Sequence, residues 1–123
     1  MNKLKVVWTE TAVKDLDDII EYISIDSINN AIEQYEKIKK ATIEIIEFPK
    51  SGRIVPELYK QNIIKYRELI VSPWRIMYKQ DRNIVYVMAI IDGRRNIEDI
   101  LMRRNIRWKT WNLIEHNNHL ELT

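Results

Sequence analysis

The hydrophobic period of this chain changes at Pro49–Gly52, and that change restricts the fold more than any other feature. Before it, apolar side chains recur at helical spacing. Ala12, Leu16, Ile19, Ile20 and Ile23 predict an amphipathic helix over residues 10–25, with Thr9 or Thr11 as N-cap and Glu10 in the first turn. Asp26 or Ser27 then caps a second helix, whose stripe is Ile28, Ala31, Ile32, Tyr35, Ile38, Thr42, Ile45 and Ile46. It ends before Phe48-Pro49, and "PKSG" is a turn. The two helices form a helical hairpin.

After Gly52, "NIIKYRELIV", "WRIMYKQ" and "IVYVMAII" read as strands. Ser72-Pro73 and "DRN" are links of hairpin length, so the three form an antiparallel meander. The third is apolar on both parities, which suits a central strand covered on both faces. "KLKVVW" supplies an opening strand, and "NIEDILMRRN" returns to helical spacing through Ile97, Ile100 and Leu101. The expected class is α+β, in the order β-α-α-β-β-β-α, an antiparallel sheet with the helical hairpin on one face and the other face partly open. Ile20, Ile23, Ile32, Tyr35 and Ile45 are expected in the core, with Val87 and Ala89 in the central strand. Tyr78 and Tyr86 are read as core residues. Asp15, Asp17, Asp18 and Glu21 are read as the solvated face of the first helix.

Charge is uneven along the chain. Residues 1–52 carry seven cations and ten anions, and residues 53–107 carry twelve and six. Seven of those twelve are arginines between Arg67 and Arg104, whose forks suit an anionic partner. The chain has no cysteine, so thiolate chemistry and disulfides are excluded. Its longest uncharged apolar run is too short to cross a bilayer, and a cytoplasmic location without membrane contact is expected. His116 and His119 sit in a polar tail and are not read as metal ligands; no nucleotide-binding motif occurs, so no metal or cofactor is expected.

Four motifs, in order, resemble the RelE/ParE toxins of bacterial type II toxin–antitoxin systems. They are "VVWTETAVKDLDDIIEYI", "GRIVPEL", "YRELIVSPWRIMYKQ" and "IVYVMAIIDGRRNIEDIL", and together they cover about residues 4–104. The second, third and fourth are closer to the ParE branch. The resemblance implies a toxin domain over residues 1–105, followed by an extension over 106–123. It implies a growth inhibitor that poisons DNA gyrase and is neutralised by a cognate antitoxin. The alternatives are a RelE-like nuclease acting on ribosome-bound mRNA, and a non-toxic homologue that only binds an antitoxin. A homodimer or an antitoxin-bridged hetero-oligomer fits any of these readings.

Arg75 and Arg95 match arginines of the RelE site, and Glu57 matches a general base of a related nuclease subgroup; these would be the catalytic residues of a nuclease. Ile100 and Leu101 stand where a RelE-type tyrosine would be, so the acid of RNA cleavage is missing. The expected anion- or target-facing set is therefore Arg75, Arg94, Arg95 and Lys79. Strand parity puts Arg75 with Met77 and Lys79, and Lys65 and Arg67 with Leu69 and Val71; if these two parities share the uncovered face, several cations share one concave surface. Arg67, pairing with a carboxylate such as Glu57, and Glu68 are assigned structural roles. Trp108, Trp111 and Ile114 recur along one side of the extension and are expected to fold back on the sheet or to dock on a partner.

Overall fold

The computed structural model describes residues 4–104 and, as backbone, residues 120–121. Trp108, Trp111, Ile114, His116 and His119 lie outside the described residues. Strand β1 (Lys5–Trp8) leads into helices α1 (Glu10–Asp26) and α2 (Ile28–Glu47). The short β2 (Arg53–Ile54) and α3 (Pro56–Tyr59) follow. Then come β3 (Tyr66–Val71), β4 (Trp74–Asp81) and β5 (Ile84–Asp92), helix α4 over residues 97–104, and β6 (Leu120–Glu121). The sheet order is β2-β3-β4-β5-β1-β6. β1 runs parallel to β5, and the other neighbours are antiparallel.

Local chemistry explains the helix boundaries. The Thr9 hydroxyl oxygen accepts from the Ala12 N–H at 3.1 Å, and the Ser27 hydroxyl oxygen from Asn30 N–H at 3.1 Å. Each satisfies an orphan amide of a first turn. Asn96 does the same for α4, accepting from Asp99 N–H at 3.0 Å. Pro56 starts α3, where its fixed φ and missing N–H cost nothing.

β5 is the centre of the molecule, and Val85 through Ile91 are all buried. One core joins Val85, Val87 and Ile90 to Ile76, Tyr78, Leu16 and Ile45 under the helical hairpin. A second lies on the opposite face and joins Tyr86, Met88, Ala89 and Ile91 to Leu58 of α3 and Ile97, Ile100 and Leu101 of α4. The expectation of a partly open face is corrected here: α3 and α4 close it. A register shift at Met77/Tyr78 gives β5 one extra residue, so Met88 and Ala89 both reach the second core.

Burial on the hairpin follows the expected stripe in part. Ile45 is fully buried, while Ile20 and Ile23 are half-buried against the core. Ile32 and Tyr35, expected inside, are exposed. The buried line of α2 runs through Ala31, Ile38, Ala41, Thr42 and Ile45, and Ile32 and Tyr35 fall on its shoulder. Asp15 also departs from its expected solvated place. Its carboxylate accepts from Ile90 N–H at 3.0 Å and from both terminal nitrogens of Arg104 at 3.0 Å. Ile90 lies beyond the residues of β5 that β1 pairs, so Asp15 supplies the acceptor its amide needs. Burial pushes the Asp15 carboxyl up, opposed by Arg104 and the amide.

Tyr78 ties the helical hairpin to the sheet. Its hydroxyl donates to Pro49 O at 2.7 Å and accepts from Gly52 N–H at 3.1 Å. A Cβ on Gly52 would stand 2.5 Å from that hydroxyl and 2.6 Å from Glu68 O, so only glycine admits the approach. Tyr78→Phe leaves both turn groups unpaired beside the core. Urea denaturation should show a loss of roughly 1–3 kcal/mol.

Candidate functional site

The Ser72-Pro73 link is two residues long, and it sets the β3–β4 register: Val71 faces Trp74, Ile70 faces Arg75, and Glu68 faces Met77. Residues directly opposite in an antiparallel pair share a face, and diagonal neighbours remain within reach of long side chains. Arg75 therefore shares its face with Glu68 and Ile70. Arg67 faces Tyr78 and belongs to the hairpin side, as do Leu69 and Val71. The expected grouping of Arg67 with Arg75 on one open surface is corrected by this register.

Arg75 is buried, and three of its nitrogens are used. Its Nε donates to Glu68 Oε1 at 2.7 Å, and its two terminal nitrogens donate to Glu57 at 2.9 and 2.6 Å. The Glu68 side chain is fully buried, and its other oxygen accepts from Arg53 Nε at 2.7 Å. The lattice thus joins β2, β3, β4 and α3. Arg67 does not pair with Glu57; it donates to Gly52 O at 2.8 Å. The partners expected of the two arginines are exchanged.

Electrostatics follow from this geometry. Burial disfavours the Arg75 charge, but Glu57 and Glu68 more than offset it, and the guanidinium is held more firmly protonated. The hydrogen bonds from Arg75 outweigh burial at Glu57 and hold its carboxyl below the usual range. Such a carboxylate is a poor proton acceptor, because general-base efficiency peaks when the pKa lies near the working pH.

The other cations stand elsewhere. Gly93 packs on the Arg75 stem, where an added Cβ would meet Arg75 Cδ at 3.2 Å, and Arg94 and Arg95 follow at the sheet end. Arg94 is clamped by Asp92, donating from its backbone N–H and from Nε at 2.9 Å and from a terminal nitrogen at 2.6 Å. Asp92 is held below the usual carboxylate range by that partner. The Arg95 side chain is exposed and makes no hydrogen bond or ion pair among the described residues. Lys79 lies five residues along β4 from the Trp74–Asp92 pair, about 16 Å away at strand rise. Its Nζ lies 6.0 and 5.6 Å from the Tyr66 and Tyr86 ring centroids, with Lys65 Nζ 5.3 Å from Tyr66. The structure brings Arg75, Glu57 and Glu68 together and keeps Arg95 and Lys79 at opposite ends of the sheet.

Sequence reasoning missed Arg53 and the Asp15–Arg104 pair. It also missed Gln34, which accepts from Trp74 Nε1 at 3.1 Å and so fixes the indole beside the Ser72-Pro73 link. The Arg75–Glu68 contact was within reach of the sequence, because a two-residue link makes it a diagonal pair. Among the described residues, no group of three His, Cys, Asp or Glu side chains could hold a metal ion, and no helix is long and apolar enough to cross a membrane.

A helical hairpin on a mostly antiparallel sheet, with an arginine–carboxylate lattice at the β2–β4 edge, makes this a small α+β protein. The family model described as the ParE toxin of type II toxin-antitoxin system, parDE, matches residues 6–97, and the chain belongs to that family. A solved structure titled as the chromosomal ParDE toxin–antitoxin system from P. aeruginosa has this fold. Its TM-score is 0.63 at 16% identity, over 75% of this chain and 98% of that one. No curated protein matches the chain.

Two outcomes follow from the lattice. Arg75→Ala leaves Glu57 without its partner and the fully buried Glu68 with Arg53 alone. Thermal and urea melts should show a loss of roughly 3–5 kcal/mol, the range for breaking one side of a buried ion pair. For pH, the depressed Glu57 stabilises the fold in full above the ordinary glutamate value of about 4.3, and the effect disappears as pH falls through the lower folded value. Acid titration of stability should therefore be less steep in Glu57→Gln than in the parent chain over that interval.

Proposed function

We propose that this chain is the toxin of a type II toxin–antitoxin pair, that it inhibits growth by poisoning DNA gyrase, and that a cognate antitoxin neutralises it. The observation that carries this reading is the membership in the ParE toxin family over residues 6–97. The site chemistry supports a binding role over catalysis. Glu57, the nuclease-base candidate, is committed to Arg75 as an ion pair and is a poor base. Transesterification of RNA also needs a proton donor for the leaving group, and Ile100 and Leu101 are buried apolar residues of the second core. In this reading Arg95, with Arg94 beside it, faces the acidic target. Lys79 contributes from the far end of the sheet. Arg75 acts indirectly, as the support on which the Gly93–Arg95 turn rests. Growth inhibition would be exerted in the cytoplasm, and the antitoxin would come from the adjacent reading frame.

The test has two assays run side by side, gyrase supercoiling with purified enzyme and ribosome-dependent mRNA cleavage. Broken DNA in the first and intact message in the second is the expected result. Cleaved message with unaffected gyrase would move the chain to the RelE-like alternative. A chain harmless in both, and on expression alone, would be the antitoxin-binding homologue. Arg95→Ala sharpens the assignment. As an exposed side chain without a hydrogen bond or ion pair among the described residues, its loss should change stability by no more than about 0.5 kcal/mol. As a charged contact to a partner, it should cost on the order of 2 kcal/mol or more of binding and relieve growth inhibition.

A further inference from the structure

Two turns at one end of the sheet are joined to each other. Gly93 N–H donates to Pro73 O at 2.7 Å, so the Gly93–Arg95 turn hangs from the Ser72-Pro73 link. The accepting carbonyl belongs to the Pro73–Trp74 peptide. Trp74 in turn stands opposite Asp92, the residue that clamps Arg94. Whatever fixes Trp74 therefore fixes the base of the arginine turn. Packing supplies part of this, because the indole is buried with Ile76 and Tyr78 in the core under the helical hairpin. Apolar packing leaves its N–H unsatisfied, and a buried indole needs a partner at that atom. Gln34, half-buried on α2, supplies one: its Oε1 accepts from Trp74 Nε1 at 3.1 Å.

We propose that Gln34 is a positioning residue for the Gly93–Arg95 turn, through which α2 sets how Arg95 is presented, a role that rests on the reading of Arg95 as a target contact. The route has two hydrogen bonds and one peptide. Gln34 Oε1 holds the indole N–H, the indole's own backbone carries the Pro73 carbonyl, and that carbonyl holds Gly93 N–H. Gly93 also packs on the Arg75 stem. The turn thus has one support from within the sheet and a second from the helical hairpin. Without its acceptor, the indole N–H regains a partner only by turning toward water, which moves the first residue of β4. An arginine contact is sensitive to such a shift, because its planar fork must meet its acceptors in direction as well as distance.

Two substitutions in the full chain separate the acceptor from the bulk of the side chain. Gln34→Leu removes the oxygen, and Gln34→Glu keeps one in its place. In gyrase supercoiling, Gln34→Leu should weaken inhibition by up to about tenfold, the factor that one neutral hydrogen bond is worth. Gln34→Glu should keep the potency of the parent chain. In an Arg95→Ala background, Gln34→Leu should cost nothing further, since both changes act on one contact. A full additional loss there would place the effect of Gln34 elsewhere and overturn the proposal. The second measurement needs no target. By amide hydrogen exchange, Gly93 N–H should exchange up to about tenfold faster in Gln34→Leu than in the parent chain or in Gln34→Glu, with the buried Val87 N–H unchanged. A Gly93 rate that stays put while the Trp74 indole signal shifts would overturn the positioning role. So would an equal rise at Val87, which is general destabilisation. If the parent chain leaves gyrase untouched, the reading of Arg95 as a gyrase contact fails by itself, and the Gly93 rate decides whether Gln34 positions the turn.

Discussion

The Glu68 carboxylate is the constraint on which the site side of this molecule depends. It is fully buried, and a lone buried charge is costly. Arg53 from β2 and Arg75 from β4 neutralise it from opposite sides, and Arg75 also holds Glu57 at the start of α3. One carboxylate thus makes the placement of β2 and α3 conditional on the β3–β4 hairpin. α3 contributes Leu58 to the second core, which α4 completes. An ion lattice of this kind does not by itself imply high stability, because an apolar replacement of similar shape can do as well. What it supplies is a geometry with little freedom: the Arg75 fork is planar and binds Glu57 through two parallel bonds.

Much of the fold was legible in the sequence. The change of period at Pro49–Gly52 separated helices from strands, and the caps at Thr9 and Ser27 stand where the residues indicated. The doubly apolar β5 implied a covered central strand, and Val87 and Ala89 are both buried. That observation was not carried far enough: a strand apolar on both parities needs cover on both faces, which contradicts a partly open sheet. α3 was invisible because four residues are too few for a period to show. Ile32 and Tyr35 were misplaced because α2 carries two adjacent apolar stripes, and periodicity cannot say which one meets the sheet.

The site was less legible, for a reason that can be stated in one residue step. Parity along a strand is unambiguous, but relating two strands requires the register. With a two-residue link, positions on β3 and β4 that face each other have opposite parity in residue number, as the Ile70–Arg75 pair shows. Treating Arg67 and Arg75 as one set therefore put them on the same face, when they lie on opposite ones. This is the same sensitivity that lets a one-residue slip invert a strand. The partners of the misplaced arginine then followed wrongly as well, and Glu57 was given to Arg67.

The exchange of the two arginines changes what a charged turn can do here. A flexible arginine at a sheet rim loses conformational entropy when it binds, and a contact gains most when its support is already ordered. Gly93 rests on the Arg75 stem, and Asp92 fixes Arg94 through three separate donors. The exposed Arg95 side chain therefore projects from a turn that is held by Arg75 on one side and by Asp92 on the other. In the proposed reading, Arg75 would thus act on a partner only through the turn that carries Arg95. The basic character of residues 53–107 divides accordingly: Arg53 and Arg75 serve the interior carboxylates, Arg104 serves Asp15, and Arg95 is exposed at the rim with no side-chain hydrogen bond or ion pair among the described residues.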